Sequence, residues 1–174
     1  TAPGYCKDKS ETFFGNALTT LPAHVRDTLF ISTKSSIDVD KTADDVRKRI
    51  DDQLQKLKVD RITFYNMWCL MDLEQFHQVM APGGPYEGAL KAQKEGLIEH
   101  ISCSTHASSE DIIKILAADA FEGYTLGYNI LNYTFRRDGV RAIAATKRAV
   151  IAMNPLAGGL LTRDEERLSI LKDD

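Results

Sequence analysis

Apolar positions along the chain follow two alternating patterns. Short β-rich runs occupy residues 29–33, 62–67, 100–104, 124–128 and 150–153. Each is bounded by polar or turn-forming residues, as strands are. Between them the apolar spacing changes to three and four. Phe13, Phe14, Ala17, Leu18 and Leu21 share one face of a helix capped by Ser10. Thr42 followed by Asp45 has the form of a capping box. After it Val46, Ile50, Leu54 and Leu57 line a single stripe. Pro85 suits the first turn of a third helix, and Gly96 suits the residue just past its end. Ser108 with Asp111 opens a fourth helix, which carries Ile112, Ile113 and Leu116.

Successive strands start about 24 to 38 residues apart, each pair bridged by a helix, which is the βαβ rhythm of a parallel sheet. Two α/β architectures share that rhythm, the open doubly wound sheet and the (β/α)8 barrel. Both place their chemistry at the C-terminal strand ends. Here those ends read Lys34, Trp68, Ser104-Thr105, Tyr128-Asn129 and Asn154-Pro155, polar or aromatic where the apolar runs stop. No G-x-G-x-x-G follows the first strand and no G-x-x-x-x-G-K-[ST] occurs, so the barrel is the expected fold.

Composition narrows the function. The chain has 174 residues, 43% hydrophobic and 27% charged, enough for one domain with a sizeable core. A net charge of −3 without blocks of like charge gives no nucleic-acid footprint. No apolar run approaches the ~18 residues of a membrane span, and no signal peptide is seen, so a cytoplasmic protein is expected. Cys6, Cys69 and Cys103 form no C-x-x-C, and His24, His77 and His100 lack metal-ligand spacing, so no metal is assigned. The opening "TAPGYCKDKSE" is turn-like and has no methionine. With the closing "RLSILKDD", it makes the chain read as the middle of something longer.

Six segments, in order, resemble the aldo-keto reductase family. They are "TAPGY" with "SETFFGNAL", "LFISTK", "IDDQLQKLKVDRITFYNMW", "AQKEGLIEHISCSTH", "YTLGYNILN" and "VIAMNPLAGGLL". The stretches "MAPGGPYEGALKAQKEGLI" and "ERLSILK" look most like the branch often found beside iron–sulfur proteins. The resemblance implies a (β/α)8 TIM barrel, of which residues 1–174 would be a single partial domain covering strands three to seven and the end of strand two. A barrel of this kind takes about 250 residues. It also implies NADP(H) bound without a Rossmann motif, with NAD(H) left open, and hydride exchange with a small-molecule carbonyl or alcohol. Neither nucleic acid nor membrane is an expected partner, and homo-oligomerisation is left open.

On this resemblance Tyr5 is the general acid. A free phenol has a pKa of about 10, and a nearby ammonium favours its ionised form. Lys34 is the candidate for that charge, and the family's lysine-holding aspartate would fall just before Thr1. Trp68 stands where the family has histidine. Its indole N–H can donate to a carbonyl but cannot relay a proton. Ser104 retains the serine that would hold the nicotinamide carboxamide; Thr105 stands where the family has asparagine, Thr125 where it has glutamine, and Met153 where many members stack an aromatic on the ring, and all are carried as expected cofactor contacts. Asn154, Pro155, Leu156, Gly158 and Gly159 form the expected pyrophosphate loop, the glycines allowing close backbone approach. His106 is read as a substrate contact or a plain loop residue, and Asn129 as a tie between strand and loop. The alternative to an enzyme is a cofactor-binding barrel with weak or no turnover, motivated by Trp68.

Overall fold

The computed structural model describes residues 1–164 and 166–171, so the end of "RLSILKDD" lies outside the described residues. Helices α1 (Ser10–Thr20) and α2 (Ala23–Arg26) precede strand β1 (Ser32–Lys34). Helix α3 (Ala43–Leu57) leads to β2 (Ile62–Leu70). Helices α4 (Leu73–Met80) and α5 (Pro85–Lys94) lead to β3 (Ile98–Thr105). Helix α6 (Ser109–Ala117) leads to β4 (Gly123–Gly127), and α7 (Tyr133–Ala145) leads to β5 (Ala149–Met153). All neighbouring strands are parallel, and their spatial order is the chain order. A doubly wound sheet reverses direction at a switch point. The described residues contain no such reversal, so the sheet is an arc of a (β/α)8 barrel.

Strand register divides the side chains between two faces. Tyr65, Met67, Ile101, Cys103, Tyr124 and Leu126 face the helices and are buried with Val46, Ile50, Phe76, Ile112 and Ile143. Burying one such aliphatic side chain contributes about 1.5–3 kcal/mol, so this layer holds the fold together. The other face mixes polar and small residues with Phe64, Trp68, Ile151 and Met153. It sets Lys34 beside Asn66, Trp68 beside Ser104, Ser104 beside Thr125, and Gly127 beside Met153. Every expected catalytic side chain borne on a strand lies on this face.

Local signals account for most helix ends. Thr42 Oγ1 accepts from Asp45 N, and Asp45 Oδ2 accepts from Thr42 N at 3.0 Å, which completes the capping box. Ser108 Oγ caps α6 by accepting from Asp111 N at 3.1 Å. Pro85 begins α5, and Gly96, with φ at +78°, follows its end.

The first strand differs from its expected position. It begins at Ser32, whereas Leu29 and Phe30 lie before it at 41% and 78% exposure. Among the described residues β1 is an edge strand paired only with β2, and Leu29 and Phe30 lie outside the paired register. Phe13 and Phe14 of α1 are also exposed, while Leu18 is buried. Phe14, Leu18, Leu29, Phe30, Ile31 and Leu57 line an apolar groove of about 290 Å³ along this edge. Ile113 is also exposed, although the α6 stripe placed it inward. Neither α4 nor α7 is foreseen by the spacing. α4 is short and buries only Phe76 and Val79, and α7 buries only Gly139 and Ile143.

Helix α1 meets α3 closely enough that a Cβ at Gly15 would stand 2.0 Å from the Lys56 carbonyl oxygen. Gly15→Ala is expected to destabilise the protein by about 1–3 kcal/mol, as overpacking does. Urea unfolding checks this, and an unchanged midpoint would contradict the packing described.

Candidate active site

Lys34 ends β1 half-buried, and its Nζ donates to Tyr5 Oη at 2.9 Å. Tyr5 sits in the segment before α1. Cys6, Lys7 and Asp8 follow it with φ of 53°, 54° and 63°, a left-handed run that costs about 1–2 kcal/mol per residue. Asp8 Oδ1 accepts from Gly4 N at 2.9 Å and Tyr5 O accepts from Ser10 N at 3.2 Å, which holds the turn. Trp68 closes the group from β2. Its ring meets Tyr5 edge-on at 5.6 Å and 88°, and Lys34 Nζ is 5.3 Å from its ring centre. Nζ lies 4.9 Å from the Tyr5 ring centre but 2.9 Å from its oxygen, so the hydrogen bond is the principal contact.

A three-residue edge strand needs anchoring to deliver a lysine accurately. Thr33 points to the helix side, where its hydroxyl donates to Glu11 Oε1 at 2.5 Å. Gln53 Nε2 of α3 donates to the same Glu11 oxygen and to the Lys34 carbonyl oxygen, each at 2.8 Å. Glu11 is only 2% exposed, so its carboxyl is satisfied by these donors rather than by water. Beyond Lys34, Asp40 Oδ2 accepts from Ser36 N at 2.6 Å and from Arg49 Nε at 2.5 Å. Removing one partner of a pair this buried costs about 3–5 kcal/mol.

A bulge aims Trp68. Trp68 pairs with Ser104 and Leu70 with Thr105, which leaves Cys69 unpaired at φ +110°. One extra residue of this kind bends the strand locally. Burial pushes the Cys69 thiol up, against the charge of Lys34, and burial raises Cys103 much further. Both thiols therefore stay protonated and poorly nucleophilic.

On the site face, Ser104 is fully buried and its Oγ has no hydrogen-bond partner among the described residues. Thr125 and Met153 share that face. The Thr105 hydroxyl is engaged elsewhere, donating to Leu70 O at 2.7 Å and accepting from Ala107 N at 3.0 Å. After β5, Asn154, Ala157, Gly158 and Gly159 take positive φ, and Pro155 and Leu156 are exposed. The Gly159 N–H closes a turn onto Leu156 O at 3.0 Å, so that donor is used internally. Asn129 Nδ2 donates to Asn154 O at 2.9 Å, joining the loops after β4 and β5. Among the described residues no cluster of His, Cys, Asp or Glu could hold a metal, and no helix is long and apolar enough to cross a membrane.

The model of the Aldo/keto reductase family matches residues 1–174. The chain belongs to the aldo-keto reductase family. Among solved structures it is similar to a Bombyx mori aldo-keto reductase in complex with NADP, at 19% identity and TM-score 0.65, over 88% of this chain and 50% of that one. It is also similar to the holo form of an aldo-keto reductase from Bacillus halodurans, at 22% identity and TM-score 0.71, over 89% of this chain and 49% of that one. The chain thus spans about half the length of these structures. No curated protein matches it.

Within this aldo-keto reductase chain the structure adds residues that sequence reasoning passed over. Glu11 and Gln53 fit a helix start and a helix interior, and only folding brings them beneath Lys34. Asn66 left a signal, since it is a polar residue within the strand "ITFYNMWCL". His106 follows β3 directly, is exposed, and donates its N–H to Leu70 O at 2.9 Å. Arg136 of α7 holds this corner, donating to Ala107 O and, at 2.8 Å, to His106 O.

Partial desolvation, then the charges of Arg136 and Lys34, lower the His106 pKa. The group then binds a proton more weakly folded than unfolded. Its unfavourable effect is absent above the unfolded value of about 6.5 and grows as pH falls below it. His106→Gln is expected to lose less stability than the wild type between pH 7 and pH 5. Urea midpoints at both pH values check this, and equal losses would contradict it.

Proposed function

We propose that the protein is an NADP(H)-dependent reductase of carbonyl compounds, working in reverse on alcohols. The observation that carries this reading is the 2.9 Å hydrogen bond from Lys34 to Tyr5 at the C-terminal end of a barrel sheet. The residues present fit the carboxamide end of a nicotinamide. Ser104 offers an unpartnered buried hydroxyl, the half-buried Thr125 hydroxyl lies beside it bonded to Asn66, and Met153 offers a polarisable apolar surface. The Bombyx mori neighbour is described with NADP. Bound here, the nicotinamide supplies a hydride, with its electron pair, to the carbonyl carbon.

Tyr5 Oη gives its proton to the carbonyl oxygen. Lys34 steadies the negative charge left on Oη through a charge-assisted hydrogen bond. In the reverse direction Tyr5 takes the alcohol proton back. Trp68 forms one wall of the substrate space and can donate a hydrogen bond to the same oxygen. Because Trp68 cannot relay protons, Tyr5 and Lys34 carry that task together.

Tyr5→Phe and Lys34→Met are each expected to lower kcat by about 10²–10⁴, the usual contribution of a positioned acid, while NADPH binding stays near wild type. Absorbance of the nicotinamide, followed with a panel of aldehydes and quinones, checks this. Wild-type rates in both variants would contradict it. Trp68 also favours a second reading, a barrel that binds the cofactor without turning over. Tight NADPH binding with no turnover of any substrate would select that reading.

A further inference from the structure

Asn66 is 3% exposed on the site face, and neither the proton path nor the expected cofactor contacts include it. A buried amide group lacking a partner is costly, so its contacts indicate its purpose. Its Nδ2 is 3.1 Å from Ser32 Oγ and 3.4 Å from the Thr33 carbonyl oxygen. A carbonyl oxygen only accepts, so the NH2 must face β1. The amide oxygen then faces Thr125 Oγ1 at 3.3 Å. That oxygen also only accepts, so the Thr125 hydroxyl donates its proton to Asn66 and has only acceptor capacity left. The reach across β3 is open because Ser102 and Gly123 occupy the same row as Asn66. The Asn66 main chain also holds β1, its carbonyl accepting from Ser35 N at 2.9 Å.

We propose that Asn66 is a positioning residue for both halves of the site. Its NH2 fixes the strand that delivers Lys34, and its oxygen turns Thr125 into an acceptor for the carboxamide N–H of a bound nicotinamide. The proposal rests on the reductase reading and adds a prediction specific to it. The 3-acetylpyridine analogue of NADP+ replaces the carboxamide NH2 with a methyl group and cannot donate to Thr125.

Calorimetric titration of the intact protein with NADP+ and with this analogue tests the assignment. The wild type is expected to bind NADP+ about tenfold more tightly, as one lost hydrogen bond predicts. Thr125→Val and Asn66→Leu should each bring that ratio close to one, and the double variant should bring it no lower. Asn66→Asp keeps an acceptor for Thr125 but loses the donor to β1, so it should retain the ratio while kcat falls. Should Asn66→Leu fail to fold, Asn66→Ala, which likewise leaves Thr125 without its acceptor, takes its place in the ratio test. A wild-type ratio near one, or a ratio unchanged by Thr125→Val or by removal of the Asn66 amide, overturns the assignment of Asn66 and leaves the reductase reading standing. A wild type that does not bind NADP+ at all overturns both.

Discussion

An ammonium group held 2.9 Å from a phenol oxygen is the contact on which this structure turns. Lysine has a long, flexible stem, and an exposed lysine contact is ordinarily weak. Here the flexibility is limited at the base. Gln53 holds the Lys34 carbonyl, Thr33 is bound to Glu11, and Asn66 holds Ser32 and Thr33 from the opposite face. Trp68 flanks the tip of the side chain. An edge strand of three residues is thus fixed by side chains on both of its faces.

The division of labour between those faces follows from the hydrophobic effect. The helix side buries Tyr65, Met67, Ile101 and Leu126 among helix residues, which supplies the stability. The other side can then carry serines, threonines and an asparagine whose hydrogen bonds must be found within the sheet. Ser104 finds none among the described residues, and it is there that we propose a polar group of the cofactor binds. Some of the positive-φ residues lie beside this face, others such as Lys58, Asp119 and Lys147 at helix ends. Cys69 precedes the corner after β2, and Cys6, Lys7 and Asp8 follow Tyr5, all at positive φ.

Much of this could be read from the chain. The β-rich runs and the three-and-four spacing located four strands and four of the helices closely and the first strand displaced, and the capping pairs at Thr42 and Ser108 marked helix starts to the residue. The pairing of Tyr5 with Lys34 followed from the family resemblance. The edge of the sheet was harder to read. Leu29 and Phe30 look like buried strand residues, yet burial depends on which neighbours cover them, and hydrophobicity alone does not specify that. Glu11, Gln53 and Asn66 could not be assigned because each makes its decisive contacts with residues more than ten positions away. Thr105 stands where the family has asparagine, and only the fold shows its hydroxyl closing the end of the strand ladder.

A crystal structure of the protein with NADPH tests the central claim most directly. The account predicts the carboxamide on Ser104 and Thr125, with C4 of the nicotinamide facing Tyr5 Oη across a gap that one carbonyl group would fill. A ring bound elsewhere, or turned so that Tyr5 and Lys34 lie out of reach of C4, would contradict it.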